Sequence, residues 1–287
     1  MFTITEITRL KSTTEHQGTK YKFWTQDNEL FKEGKVQGEN WAELIAYNIT
    51  TLLAIPSAEY KPAKLKTPNK KPKLGTLSPN FINTANGERL INANELLASW
   101  LGSKYDKSKT YKQKDYTFFT ATNLINNTTC IKNFIGYLLF DTLIANQDRH
   151  HENWGFIFAS QSGELSLSPT YDHGASLACR MREKERKQRM TTNDTQYSVK
   201  FFANKAKTPF YNKERLLKTY QIAELCIMRF PKESSYWIEK ISCLSHEQLL
   251  NVINNISNEW MSATEKEFTL SLLLYNQQYL KELPRNV

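Results

Sequence analysis

A crowded polar stretch in the middle of the chain has the residue types that phosphoryl transfer requires. It reads Asn146-Gln-Asp-Arg-His-His-Glu-Asn153, so that the carboxylate of Asp148 and the amide of Asn153 lie five residues apart. Further along, Asp172-His-Gly174 supplies a second carboxylate in an Asp-x-Gly sequence. Phosphoryl transfer needs a carboxylate to orient the hydroxyl nucleophile, and an amide oxygen with a second carboxylate to hold Mg²⁺ on the phosphates. These residues are therefore a candidate phosphoryl-transfer site.

The elements around this stretch strengthen the hypothesis, because Asp-x₄-Asn alone recurs by chance in a chain rich in asparagine. Residues 131–145 are apolar nearly all round, which predicts a buried helix directly before the polar stretch. Residues 154–159 and 165–167 flank a Ser-Gln-Ser-Gly turn and predict a hairpin. Asp-x₄-Asn, a hairpin and then Asp-x-Gly is the order of a protein-kinase catalytic loop and metal-binding segment.

The first third of the chain is predicted to be rich in strands. Residues 21–25 and 29–33 flank a Gln-Asp-Asn turn and predict a hairpin, and residues 58–65 and 74–81 predict two further strands. Between them a helix is predicted, with Asn40 as its N-cap, Glu43 as the partner in a capping box and an end at Ile55-Pro56.

The remainder is predicted to be largely helical. The predicted helices cover residues 89–101, 131–145, 213–229, 233–242, 246–257 and 263–282. This order predicts an α+β, two-lobed protein-kinase-like fold with a small β-rich N-terminal lobe and a larger helical C-terminal lobe. The expected boundaries are 1–83 for the first lobe, 84–87 for a linker and 88–287 for the second lobe.

With this order of elements, the chain resembles the HipA-like serine/threonine kinases of bacterial toxin–antitoxin systems. The resemblance is carried by Asn146-Gln-Asp-Arg-His-His-Glu-Asn153 and by Leu167-Ser-Pro-Thr-Tyr-Asp-His-Gly-Ala-Ser-Leu177, and more weakly by Gly38-Glu-Asn-Trp-Ala-Glu-Leu44. It covers roughly residues 15–180. The chain differs from ordinary eukaryotic protein kinases because it has no GxGxxG loop, no His-Arg before Asp148 and no Ala-Pro-Glu. The resemblance implies a short form without the separate N-terminal domain of full-length HipA.

The resemblance also implies roles for the polar residues. Asp148 is expected to be the catalytic base, and Asn153 and Asp172 are expected to bind Mg²⁺, with ATP as the phosphoryl donor. The expected acceptor is a Ser or Thr hydroxyl of a protein, and of the kinase itself. A protein substrate such as an aminoacyl-tRNA synthetase or another tRNA-bound target, and an antitoxin partner, are possible on the same basis.

The N-terminal lobe supplies the remaining candidate residues. Lys32 on a predicted strand is expected to contact the ATP phosphates and to pair with Glu43 on the following helix. Gly18, in a short polar loop, and Asn80 and Phe81, next to the predicted linker, complete the predicted nucleotide-binding residues. The hydroxyls beside the loop, which are candidate regulatory autophosphorylation sites, are those of Ser12, Thr13 and Thr14.

The composition limits where the protein works and what it binds. The chain has 287 residues with a net charge of +9, and its four cysteines are too scattered for a disulfide framework or a CxxC metal pair. There is no apolar run that predicts export or a membrane span, so a bacterial cytoplasmic location is expected. The basic excess is concentrated in residues 61–73, expected to form an exposed loop, and in residues 180–189, expected to form a surface that receives the substrate.

Three alternatives remain open at the level of sequence. A kinase of the same fold could act on a small molecule, although basic residues 180–189 argue mildly against an aminoglycoside. A catalytically inactive kinase-like module could bind a partner, although it would not need Asp148, Asn153 and Asp172 together. A hydrolase metal site could be built from His150, His151 and His173 together with Asp148 and Asp172, although no HxH or HxxxH pair is present.

Overall fold

The computed structural model describes residues 3–8, 21–34, 38–109, 112–125 and 128–284. In its first part five strands form one sheet in the order β1-β4-β5-β3-β2. The elements of this part are β1 (Thr5–Thr8), β2 (Lys22–Trp24), β3 (Glu29–Glu33), α1 (Glu39–Leu53), β4 (Lys61–Lys66) and β5 (Lys73–Pro79). The predicted hairpin is confirmed, since β2 and β3 pair antiparallel with Phe23 opposite Phe31.

Successive side chains of strand β3 lie on opposite faces of the sheet. Phe31 packs into a small core with Phe23, Leu65 and Leu77. Because successive side chains of a strand point to opposite faces, the neighbouring Lys32 points to the other face. On that face its ammonium group forms an ion pair with Glu43 of helix α1.

Helix α1 begins differently from the sequence prediction. Its N-cap is Gly38, at φ +93°, so Asn40 lies within the first turn and does not cap the helix. A Cβ at position 38 would lie 2.8 Å from the Cys179 carbonyl oxygen, which explains why glycine is needed here. The capping-box prediction for Glu43 is wrong because its carboxylate makes contacts across the molecule instead.

The second part of the chain is mainly helical. A three-stranded sheet in the order β6-β7-β8 contains the predicted hairpin, which is confirmed. The elements are β6 (Glu88–Asn92), α2 (Ala93–Leu101), α3 (Phe118–Asn123), α4 (Thr128–Leu143), β7 (Gly155–Ala159), β8 (Glu164–Leu167), α5 (Glu183–Thr191), α6 (Val199–Lys205), β9 (Lys207–Asn212), β10 (Arg215–Lys218), α7 (Thr219–Arg229), α8 (Pro231–Ser242), α9 (His246–Asn254) and α10 (Ala263–Glu282).

Two predicted helices begin too early in the sequence. Residues 88–92 form a strand because they pair with the edge of β7, and the helix starts only at Ala93. Residues 215–218 likewise pair with β9 across a turn in which Lys213 has a positive φ. In both places pairing with a distant or neighbouring strand outweighs a weak local helical pattern. The expected lobe boundaries at 83 and 88 remain a prediction.

Helix α4 forms the centre of the larger core. It is buried as predicted, and it packs against α7, α8 and α10. Gly136 permits a close approach to α8, because a Cβ there would lie 2.6 Å from the Trp237 ring. The polar stretch that begins at Asn146 follows closely after the end of α4. None of the described helices is both long and apolar enough to cross a membrane.

The basic segment at residues 61–73 is an exposed loop only in its middle, where residues 67–72 form a largely exposed turn. Its two ends belong to strands β4 and β5, and four of its lysines form ion pairs. The pairs are Lys61–Glu29, Lys64–Glu259, Lys66–Glu6 and Lys73–Glu33. Acidic partners therefore neutralise much of the charge that suggested an anionic ligand.

Candidate active site

A chain of side-chain contacts fixes the backbone at Asp148. The Asn146 amide nitrogen donates to Asp141 Oδ1 at 2.8 Å, and Asn146 Oδ1 accepts from the Asp148 backbone N–H at 3.1 Å. Asp141 lies in α4 and is buried. The predicted base is thus anchored to the central helix of the core.

Arg149 is a fully buried cation that ties three segments together. Its guanidinium donates to both Asp141 oxygens, at 2.7 and 2.8 Å, and to the backbone carbonyls of Asn153 at 2.7 Å and Tyr171 at 3.3 Å. Burial alone would lower the pKa of Arg149, but the Asp141 carboxylate raises it above its usual value. Arg149 therefore fastens two segments to helix α4. One is the polar loop, and the other is the segment that contains Tyr171, the residue before Asp172.

The structure brings Asn153, which is largely buried, into the same turn of the loop as Asp148. The Asn153 amide nitrogen donates to the Asp148 carbonyl oxygen at 2.8 Å. This bond uses the nitrogen end of the amide, so the oxygen end is the atom suited to a metal. The five-residue spacing thus closes a compact turn that carries both predicted residues.

Asp172 lies where the second segment reaches the N-terminal lobe. Its backbone has φ +57°, and its N–H donates to the Tyr60 hydroxyl at 3.1 Å. Thr170, two residues before Asp172, exchanges backbone hydrogen bonds with Pro56 and Ala58, at 2.9 Å each. The segment that carries Asp172 is therefore bound to the chain that follows α1.

Lys32 joins the two parts of the site. Its ammonium lies 2.8 Å from Glu43 Oε1 and 2.5 Å from Asp172 Oδ1. Burial would lower the pKa of Lys32, but the adjacent carboxylates of Asp172 and Glu43 hold it well above its usual value. The other Glu43 oxygen accepts from the His173 backbone N–H at 2.9 Å. The predicted pair of Lys32 and Glu43 therefore forms one partly buried cluster with Asp172.

The oxygen atoms of Asn153 and Asp172 are of a kind that suits Mg²⁺. An amide oxygen from Asn153 and a carboxylate from Asp172 are hard ligands of the kind that this ion prefers. Side-chain exposure of 32% at Asp172 leaves room for a phosphate-bound ion to reach it. Mg²⁺ commonly uses one or two carboxylates and takes its other ligands from phosphates and water.

The three histidines do not form the alternative hydrolase site. His151 is hydrogen-bonded to Tyr105, and His173 Nε2 lies 2.9 Å from Thr170 Oγ1. Burial lowers the pKa of all three, that of His151 to about 4. Within the described ranges no group of three His, Cys, Asp or Glu side chains could hold a metal. His151 and His173 are therefore buried structural residues, whereas His150 lies beside the polar loop with Nε2 3.6 Å from Asp148 Oδ1.

The other predicted nucleotide residues fall into two groups. Phe81 stacks on Tyr171, with ring centroids 5.8 Å apart, and so lies close to Asp172. Asn80 instead contacts the turn between β2 and β3, where its N–H donates to the Asn28 carbonyl at 3.1 Å. Gly18 and the predicted phosphorylation sites Ser12, Thr13 and Thr14 lie outside the described residues.

Residues 180–189 are less available to a substrate than their charge suggests. Arg186 is buried and pairs with Glu265 at 3.2 Å, and Arg189 pairs with Glu185 at 3.0 Å. Arg180 pairs with the buried Glu39 of α1 at 2.8 Å. The expectation of an open basic surface is therefore wrong for Arg186 and Arg189, whose side chains are only 1% and 12% exposed. The Arg180 side chain is 55% exposed, and only its charge is balanced by Glu39.

Sequence reasoning missed two residues that organise the site, Asp141 and Arg149. A signal was present, because a carboxylate within an apolar buried helix requires a cationic partner. Arg149 is the first arginine downstream of Asp141. The pairing itself depends on the turn of the chain after α4.

The fold defined by these elements is that of a two-lobed kinase. The structure aligns with the crystal structure of the proinflammatory kinase CtkA from Helicobacter pylori, with a TM-score of 0.74, 18% identity and coverage of 96% of this chain and 94% of that one. It also aligns with HipA from a Shewanella oneidensis toxin–antitoxin complex with HipB and operator DNA, with a TM-score of 0.61, 12% identity and coverage of 95% and 66%. The predicted fold class is thereby confirmed.

The sequence comparisons agree with this fold. A family model described as the HipA-like C-terminal domain matches residues 91–226 of this chain. The predicted HipA-like resemblance is thus confirmed. The serine/threonine-protein kinase CtkA of Helicobacter pylori strain J99 is 51% identical over 37 residues. That match spans 13% of this chain and 11% of the length of the relative.

Proposed function

We propose that this chain is a serine/threonine protein kinase of the HipA type, which transfers the γ-phosphate of ATP to a protein hydroxyl and to itself. The observation that carries the proposal is the contact of Lys32 with both Glu43 and Asp172. A strand lysine paired with a helix glutamate is the arrangement by which kinases hold ATP phosphates. The similar protein CtkA is named a kinase, which supports the proposal that this chain is one as well.

The proposed roles follow from position and chemistry. Asp148, anchored through Asn146, orients the acceptor hydroxyl and accepts its proton. Asn153 and Asp172 would hold Mg²⁺, which neutralises negative charge on the transferring phosphoryl group when it is bound. Lys32 binds the phosphates, and Glu43 keeps its ammonium in place.

Several finer expectations stay within this proposal. One structural relative was solved with its antitoxin HipB, which supports a search for a partner protein of that kind. An aminoacyl-tRNA synthetase target remains a prediction, and the ion-paired lysines of residues 61–73 weaken the case for a tRNA-bound one. A bacterial cytoplasmic location and regulation at Ser12, Thr13 or Thr14 also remain predictions.

The proposal is tested by incubating the purified chain with γ-labelled ATP and Mg²⁺, alone and with bacterial lysate, and identifying labelled sites by mass spectrometry. Asp148→Ala should reduce transfer at least a hundredfold with nucleotide binding retained, because the base is lost but the phosphate ligands remain. Asp172→Ala should reduce both transfer and Mg²⁺-dependent nucleotide binding.

Asp115→Ala is the matched control, because Asp115 is an exposed aspartate in the loop before α3. It should retain wild-type transfer. A folded Asp148→Ala or Asp172→Ala protein that transfers phosphate within about tenfold of wild type would contradict the assigned roles. No label on the chain or on any lysate protein would contradict the proposed activity.

A further inference from the structure

A pocket of about 430 Å³ opens directly beside Asp148. Its walls come from the polar loop, from the segment that follows Asp172 and from helices α5 and α6. The residues that matter here are Asp148, Ala178, Arg180, Met181, Glu185 and Phe202. A volume in this range suits a small ligand or a side chain or two of a bound peptide. Since Asp148 is the proposed base, whatever enters this pocket lies next to the acceptor hydroxyl.

The charged walls of the pocket are neutralised from outside it. Arg180 pairs with Glu39 of α1 at 2.8 Å, and Glu39 is almost fully buried. On the other wall, Glu185 pairs with Arg189 at 3.0 Å. Neither Glu39 nor Arg189 lines the pocket. The third charge at the pocket is that of Asp148, which faces the acceptor hydroxyl in the proposed reaction. A charged ligand side chain would therefore lose hydration there without gaining an opposite charge that is not already engaged.

The pocket also has an apolar side. Met181 and Phe202 pack against a buried cluster that includes Ala178, Tyr220 and Phe268. An apolar side chain that enters the pocket would pack against this cluster, and its apolar surface would be removed from water. Methionine is flexible enough to adapt to different apolar shapes.

The rim of the pocket is already fixed in position. Leu177 and Ala178 both have positive φ, at 55° and 52°, a conformation that non-glycine residues adopt only when the surroundings impose it. Buried Arg186 imposes it by donating to the Ala178 carbonyl at 2.7 Å and the Cys179 carbonyl at 3.1 Å, while pairing with Glu265 of α10. A preformed pocket can discriminate between side chains without first being ordered.

From these observations we infer that the pocket receives a residue adjacent to the phosphorylated Ser or Thr in an extended acceptor segment, and that it selects an apolar side chain. Met181 and Phe202 are then specificity-determining residues. The inference rests on the proposed kinase function and names its substrate class.

The experiment uses the full chain, ATP, Mg²⁺ and a positional-scanning library of peptides with a central Ser or Thr. Wild type should favour Leu, Met or Phe over Asp or Glu at least tenfold at one of the two positions beside the acceptor. Met181→Lys places an ammonium in the pocket, so the preference at that same position should change to Asp or Glu. Met228→Lys is the matched control, since Met228 is 69% exposed on α7 and does not line the pocket. It should keep the wild-type profile.

The outcomes separate this inference from the proposed function. An active enzyme with no apolar preference beside the acceptor, or with a preference unchanged by Met181→Lys, would overturn the pocket assignment alone. So would an enzyme that labels itself but no peptide, because the acceptor would then not be an extended segment. Absence of all transfer would overturn the kinase proposal and this inference with it. If Met181→Lys does not fold, Met181→Ala should shift the preference towards larger apolar residues, and no shift would count against the pocket.

Discussion

Replacing Asp141 with asparagine should destabilise the protein far more than its single-atom change suggests. The carboxylate accepts two bonds from Arg149, at 2.7 and 2.8 Å, and one from Asn146 at 2.8 Å. The side chains of Asp141 and Arg149 are only 7% and 1% exposed. In Asp141→Asn the guanidinium keeps its charge in a buried site but loses its counter-ion.

The expected cost can be set from these features. Removing one partner of a buried ion pair costs about 3–5 kcal/mol, because the remaining charge is left uncompensated. Domains of this kind have unfolding free energies of about 5–15 kcal/mol, so the loss is a large fraction of the total. It corresponds to a fall in Tm of roughly 6–20 °C.

Urea unfolding followed by circular dichroism measures the change. The exposed Asp115→Asn variant is the control and should unfold at the wild-type midpoint within about 0.5 kcal/mol. The double variant Asp141→Leu, Arg149→Met should be more stable than either single variant, since neither charge remains buried. It should still lose phosphoryl transfer, because the anchor of Asp148 is gone.

Two results would refute this reasoning. The first is an Asp141→Asn protein within about 1 kcal/mol of wild type, which would show that the buried charge finds another partner. The second is a double variant less stable than both single variants. In that case the contacts of Arg149 to the backbone carbonyls of Asn153 and Tyr171 would outweigh the cost of its burial.

Two further predictions concern stability. Gly38→Ala should lower the free energy of unfolding in urea by about 1–3 kcal/mol. The residue has φ +93°, and the new Cβ would lie 2.8 Å from the Cys179 carbonyl and 2.9 Å from the Trp41 ring. An unchanged midpoint would contradict this prediction. The urea midpoint should also fall as the pH is lowered from 7.5 to 5. Burial lowers the folded-state pKa of His151 to about 4 and that of His173 well below its usual value. The unfolded chain therefore takes up protons near pH 6.5 that the folded chain does not, which favours unfolding as the pH falls. A urea midpoint that does not change with pH would contradict this prediction.

The sequence by itself determined the parts of the site that lie close together along the chain. Asp148 and Asn153 meet because five residues close one turn, and the two hairpins form because turn residues separate short apolar runs. The face on which Lys32 lies also follows from the sequence, since its neighbour Phe31 must enter the core. The order of elements was enough to predict a two-lobed kinase fold.

Only the tertiary structure decided the contacts between distant segments. Lys32 reaches Asp172 across 140 positions of sequence, and Glu43 leaves its predicted capping role to hold Lys32 and His173. Arg186 belongs to a basic run that predicted a surface, yet it is buried against Glu265. The physical reason is that a local pattern specifies which groups are polar or charged, whereas their partners, and hence their burial, are set by packing of elements that are remote in sequence.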